Sequence, residues 1–291
     1  QQSTFNMFGG KIIGNKAANG GGAVYVGFYG NQHGTFNMSG GAITGNNAID
    51  GGGVFVVAGG TFTMSDGAIS SNTAVNCGGG VNVQGIFNMN GGVIEYNKDT
   101  TDNSSWGGGG VAIYDKGKAA LSGGEIRYKS SNIAGGGILI LYNNSSQQKV
   151  TMAGVSIINN TAGANGGGVC VTTDGVTNTI VGGSTKITGN VIGGEIVDGI
   201  LSGGAINNFY LSSDKYIQLG TGADEPRNGM SVGITTAISP TDGSPVQITT
   251  NGNTDDEKYF FSDDTAYAVK YESNQLKLVN AYSIANDAKD A

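Results

Sequence analysis

The chain has 291 residues, a net charge of -7 and 54 glycines, but only three prolines. That acidic balance disfavours nucleic acid and anionic membrane surfaces as partners, because phosphate binding relies on clustered Lys and Arg and no basic stripe is present. No apolar run is long enough to cross a bilayer as a helix, and collagen is excluded because glycine does not recur at every third position.

From the N-terminus to about residue 206 one pattern repeats every 25 to 32 residues. Each unit opens on a Phe-x-Met pair. Phe5, Phe36, Phe62, Phe87, Ala119 and Val150 take the first place, and Met7, Met38, Met64, Met89, Leu121 and Met152 the second. Gly-Gly follows, then an Ile at 12, 43, 69, 94, 126, 157 and 187. Three residues later stands Asn15, Asn46, Asn72, Asn97, Asn160 or Asn190, with Lys129 as the exception. Small residues at Ala17, Ala48, Ala74 and Ala162 fit a cramped corner. A run of glycines then leads to an alternating pair such as Val24 and Val26, Val54 and Val56, or Ile138 and Ile140.

Alternation at a period of two marks strands with one buried face, and no 3.6-residue period competes. A fixed repeat of this length makes a solenoid in which each unit buries its apolar side chains against its neighbours. The expected fold is all-β, a right-handed single-stranded parallel β-helix of about seven or eight coils with three short strands each. The glycines allow bends with positive φ or close backbone approach. The Asn series predicts a structural amide ladder at a corner.

Cys77 and Cys170 fall in the third and sixth units, roughly 14 Å apart at ~4.8 Å per coil. That is beyond disulfide reach, so both read as small, partly buried free thiols. Beyond the repeats, residues 212–291 read as terminal coil and strand-rich cap after a β-helix over 1–211. Strands are expected at Tyr216 to Leu219, Val246 to Thr249, Tyr259 to Ser262, Ala266 to Glu272 and Leu276 to Val279, with Ser273-Asn274 as a hairpin turn. Acidic pairs there suit a soluble cap and leave open weak calcium binding. The chain begins almost inside a repeat strand, which reads as a mature or trimmed fragment.

The units Gly40-Gly41-Ala42-Ile43 and Gly203-Gly204-Ala205-Ile206, with the recurring Ile-x-x-Asn, resemble the Gly-Gly-Ala-Ile and Phe-x-x-Asn repeats of bacterial polymorphic outer membrane proteins and related adhesin-like surface proteins. The resemblance covers residues 1 to 206. It departs in having Ile for Phe and in lacking a membrane-anchoring β-barrel. It implies a parallel β-helix of the pectate-lyase-like superfold at a bacterial surface, with adhesion as its role.

Function is then expected on the outside of the rod. Between the paired Val positions the outward residue is Tyr25, Phe55, Asn82, Ala112, Leu139 or Cys170. Outward aromatic and apolar groups on a flat sheet stack on sugar rings or dock a protein, which makes Tyr25, Phe55 and Leu139 the candidate ligand-binding residues. The structural alternative is that loops such as Phe28 to Gly34 and Lys98 to Trp106 fold over this stripe, with Trp106 and Tyr114 in the cover.

No catalytic constellation, metal-ligand spacing or cofactor motif emerges. The acids are scattered, and His33, the one histidine, sits in a loop. Glu95 and Arg127 are the one cross-coil charge pair and read as a surface salt bridge. The reading is a secreted or cell-surface binding or spacer module, with a glycan or host or matrix protein as partner. The alternative is a polysaccharide lyase or glycoside hydrolase of the β-helix type, which would need paired carboxylates or a calcium site.

Overall fold

The structure is a computed structural model that describes residues 3–27, 33–102, 106–141, 148–172 and 178–282. It is a parallel β-solenoid of about eight turns. The Phe-x-Met strands begin the turns and pair in register from Ser3–Met7 through Gly34–Thr44, Thr61–Ser70, Ile86–Met89, Lys118–Leu121, Lys149–Met152 and Thr179–Val181 to Gln218–Leu219. The Ile strands and the Val-x-Val strands form two further rails. Inner turns add a fourth rung at the corner read from sequence only as cramped. There a seven-stranded sheet runs through Asn47–Asp50, Thr73–Cys77, Lys98–Asp99, Ser130–Ser131, Thr161–Ala162 and Val191–Ile192, and ends on antiparallel Ala205–Ile206.

In-register pairing places like side chains on like. Met7, Met38, Met64, Met89, Leu121 and Met152 form one buried ladder. The rings of Phe5, Phe36, Phe62 and Phe87 stack at 5.1, 4.7 and 5.1 Å between centroids, close to the ~4.8 Å spacing of paired strands. Each such contact contributes about 0.5 to 1.5 kcal/mol beyond the area it buries. Only Phe5, on the first turn, keeps a large exposed face.

The Asn corner solves a separate problem. A bend in mid-core strands backbone donors that must find partners. The Asn46 backbone N–H and Nδ2 both donate to Oδ1 of Asn72, at 2.9 Å each, and Asn72 does the same to Asn97 at 2.9 and 2.8 Å. The remaining Nδ2 hydrogen of Asn72 reaches back to the Ile43 carbonyl. The third glycine of the triplet is packed against the next turn, since a Cβ at Gly80 would stand 2.7 Å from the Gly110 carbonyl oxygen and 3.0 Å from Asn97 Nδ2. The middle glycine has no alternative either, because a Cβ at Gly52 would lie 2.5 Å from the Gly79 carbonyl oxygen one turn on.

The ladder runs further than the repeat pattern shows. Asn190 donates to Oδ1 of Asn208, and the Asn208 N–H and Nδ2 donate to the Asp263 carboxylate at 2.7 and 2.6 Å. A carboxylate accepts without offering a donor that needs a partner of its own, so Asp263 closes the stack. Around it the last turn is compressed. Ser231–Thr236 pairs with the Ile strand of the turn before through Val232 and with Phe209–Leu211 through Ile234 to Thr236, omitting the corner. Phe260–Ser262 and an antiparallel sheet of Val246–Gln247, Tyr267–Glu272 and Gln275–Asn280 then cover the core. Ser273 and Asn274 turn that hairpin with φ of 53° and 64°. The parallel rails thus continue past residue 211 into the segment expected to cap them, and share its apolar core.

Lys129 interrupts the ladder. Its backbone N–H still donates to Asn160 Oδ1 at 3.0 Å, but its side chain offers Asn97 no acceptor and its Nζ, fully buried, has no hydrogen-bond partner. Burial holds this amine well below the ordinary lysine range, against the opposing pull of the Glu95 charge. An unsatisfied buried polar group costs about 1 to 3 kcal/mol. Lys129→Asn is therefore expected to raise the thermal midpoint by a few degrees. The unfolded chain keeps its lysine proton up to the ordinary pKa while the folded chain does not, so wild-type stability rises toward pH 10 and the gain of the variant shrinks there. A lowered midpoint at neutral pH would show that Lys129 is a stabilising member of the stack.

Candidate binding surface

The stripe of Tyr25, Phe55 and Leu139 requires a correction. Phe55 is 4% and Leu139 2% exposed, whereas Tyr25 is 38% exposed. The cover is the chain just before each triglycine bend. Gly20 lies flat on Phe55, where a Cβ would stand 2.2 Å from the ring. Cys77 accepts from Asn82 Nδ2 at 2.8 Å, and Ala134, Cys170 and Leu139 form a small second core with Ile133, Leu141 and Tyr210 against it. Of the loop expected to provide cover, residues 28–32 lie outside the described residues, as do 103–105; Trp106 and Tyr114 meet edge to face at 5.7 Å. Tyr25 meets Phe55 edge-on at 5.4 Å and lines, with Phe5 and His33, an open pocket of about 220 Å³ on the first turn.

A different corner presents aromatic surface. The residue before each ladder position adopts left-handed backbone, with φ of 70° at Gly14, 66° at Gly45, 55° at Ser71, 56° at Asn159 and 68° at Gly189. In the fourth and fifth turns this place is held by Tyr96 and Tyr128, at φ of 54° and 53°. Left-handed backbone costs an ordinary L-residue about 1 to 2 kcal/mol, and a bulky residue there is an outlier that points to function. The two rings stack 5.3 Å apart and 7° from parallel, and Tyr96 is 40% exposed.

Charge is arranged around this pair. Arg127 lies over the Tyr128 ring at 5.6 Å, and its guanidinium binds Glu95 of the turn before at 3.0 Å and Glu125 at 2.8 Å. The expected Glu95 and Arg127 pair is thus present but is one arm of a three-membered network. Both carboxylates serve one guanidinium. A hairpin of Glu195–Val197 and Ile200–Ser202 projects from the seventh turn, and its tip rests on Tyr96, since a Cβ at Gly199 would meet the hydroxyl at 2.9 Å. The sequence shows Gly, Ser, Asn or Tyr one place before each ladder position but not the left-handed backbone that makes the two tyrosines stand out, nor the hairpin.

Beneath the corner, Asp99 is buried on the fourth rung. It accepts from Ser131 Oγ at 2.8 Å and from the Thr101 N–H at 3.1 Å. Burial raises its pKa to about 6, although the Ser131 and Thr101 hydrogen bonds and the Lys98 charge pull the other way. Cys77 and Cys170 remain free thiols, and burial pushes Cys170 up to about 12. His33 places Nδ1 3.0 Å from the Gly59 carbonyl oxygen. Among the described residues, no three His, Cys, Asp or Glu side chains gather as a metal site, and no helix is long and apolar enough to cross a membrane. Comparison with protein-family models, with curated proteins and with solved structures finds no match.

The Asp99 shift has a pH consequence. The folded state holds this proton up to about pH 6, while the unfolded chain releases it near pH 4. Proton binding therefore favours the fold within that window, and stability falls as pH rises through it, by about 2 to 3 kcal/mol for a shift of this size. Asp99→Asn can keep both contacts, because a hydroxyl accepts as well as donates. Thermal melts at pH 4.5 and 7 are expected to show a smaller drop in the variant than in the wild type; equal drops would mean that Asp99 titrates normally.

Proposed function

We propose that this chain is a secreted or cell-surface bacterial binding or spacer module, adhesin-like in character, whose partner is a glycan or a host or matrix protein. The observation that carries the reading is the Tyr96 and Tyr128 pair, two bulky side chains kept in a strained conformation where other turns use Gly, Ser or Asn. Strain retained on an exposed surface is best explained by what the rings contact. The rings stack on one another with Arg127 over Tyr128, so their exposed edges are what they offer to a sugar or a protein side chain. The solenoid interior is filled by its ladders, which favours the outer surface for recognition. Binding of this kind is weak per site and gains strength when many copies are displayed.

The lyase or hydrolase reading has less support. Glu95 and Glu125, the carboxylates beside the tyrosine corner, are both engaged by Arg127.

Retention of the intact chain on glycan and matrix-protein arrays is the test. The wild type is expected to bind at least one arrayed class. Tyr96→Asn with Tyr128→Asn is expected to lose at least tenfold in retention while stability changes by less than about 1 kcal/mol, because relief of left-handed strain offsets the lost stacking. Undiminished binding by the folded double variant would remove this corner from consideration. Release of reducing or unsaturated sugar ends, abolished by Glu95→Gln or Glu125→Gln, would put the enzyme reading in its place.

A further inference from the structure

Beside the tyrosine corner the outer face of the fourth-rung sheet is the floor of an open groove of about 530 Å³. The floor runs along the solenoid axis from Lys98 in the fourth turn through Ser130 and Asn132 in the fifth to Gly163 in the sixth. One wall is the hairpin strand Glu195–Val197. The hairpin is built in rather than dangling. At its foot Thr161 Oγ1 donates to the Gly194 carbonyl at 2.9 Å and lies 3.2 Å from the Gly194 N–H. At its tip Gly199 rests against Tyr96, three turns away. Tyr96 and Tyr128 stand two places before Lys98 and Ser130 of the floor, and the floor from the fourth turn to the sixth spans two strand spacings, about 10 Å.

We propose that this groove binds a linear, uncharged oligosaccharide laid along the solenoid axis, with the Tyr96 and Tyr128 pair flanking it. The assignment rests on the surface-binding reading above and names its ligand class. Three features select that class. Ser130, Asn132, Lys98 and Glu195 supply hydroxyl, amide and charged groups that donate and accept toward sugar hydroxyls, and the one cation and one anion among them cancel. Arg127 is already balanced by Glu95 and Glu125, so no net positive charge awaits a uronate or sulfated chain, which the overall charge of -7 also repels. The floor is a sheet face whose backbone groups pair between turns, so a peptide cannot add to it as an extra strand, the mode that gives extended peptides their affinity.

The experiment titrates the intact chain with cellohexaose, xylohexaose and chitohexaose, and with hexagalacturonate as the charged control, by calorimetry and tyrosine fluorescence. One neutral hexasaccharide is expected to bind at a single site and perturb the tyrosine signal, while hexagalacturonate does not bind. Ser130→Arg, which fills the floor, is expected to weaken binding at least tenfold. So is excision of residues 195–202, feasible because the hairpin's feet lie close together, with a Cβ at Gly194 only 3.0 Å from the Gly203 carbonyl oxygen. Asn132→Ala, an exposed and conservative change, gives the same readout should excision disturb folding, with an expected loss of several-fold. Binding unchanged in folded Ser130→Arg and Asn132→Ala, tighter binding of hexagalacturonate, or displacement of the sugar by an unstructured peptide would each overturn the proposal. Failure of all three neutral sugars alongside retention on an arrayed matrix protein would overturn the groove and leave the surface-binding reading standing; no retention on any surface would overturn both.

Discussion

The structure depends on one requirement, that every turn hydrogen-bond to the next at an identical register. Parallel pairing with no offset brings each side chain within about 5 Å of its counterpart on the neighbouring turn, so a residue that suits one turn must suit its own copy above and below. Phe on Phe, Met on Met and Asn on Asn follow from this. Apolar ladders satisfy it by burying surface. The Asn ladder satisfies it by being both donor and acceptor, so that the amide of one turn completes the bend of the turn before. The glycines are part of the same device, because a Cβ at Gly53, Gly80 or Gly137 would meet the next turn's carbonyl oxygen at 2.6 to 2.7 Å and crowd the ladder amide at 3.0 to 3.2 Å.

Such a stack is sensitive to its members and its ends. Lys129 donates but cannot accept, so it splits the ladder into two runs, and burial of its amine opposes the charge it would carry in water. Asp263 accepts but does not donate, which suits the final place. The first turn differs, with Phe5, Phe8 and Ile13 exposed.

Much of this was legible in the sequence, because a solenoid writes its register into the spacing of its residues. The Met, Phe, Ile, Val and Asn ladders and the free cysteines follow from position within a repeat, and the Ser273-Asn274 turn from the alternating runs on either side of it. The features that escaped are those in which neighbouring turns or local bends intervene. Phe55 and Leu139 point outward from their strand as expected, yet the chain before each triglycine bend lies over them. Asn208 and Asp263 continue the ladder from outside the repeat spacing, after the turns shorten. Tyr96 and Tyr128 were hidden because a left-handed corner is a backbone property, and the column holding it reads as unremarkable until the register is fixed by the Asn beside it. The hairpin at Glu195 lies between the last ladder Asn of the repeats and the Gly203-Gly204 unit, where the repeat pattern assigns no strand.

Recognition by such a molecule is confined to what its turns leave outside, and the rigidity of that surface comes from the ladders beneath it. The tyrosine corner sits directly beside Asn97 and Lys129, so the stacking of the core sets the spacing of the rings. The most direct test of this account is side-chain amide hydrogen exchange measured by NMR. The Nδ2 hydrogens of Asn72, Asn97, Asn160 and Asn190, all buried, are predicted to exchange only through global unfolding, far more slowly than those of Asn37, whose amide contact to Asn6 lies at the surface. Exchange of the four at the rate of Asn37 would contradict the claim that the amide stack holds the turns in register.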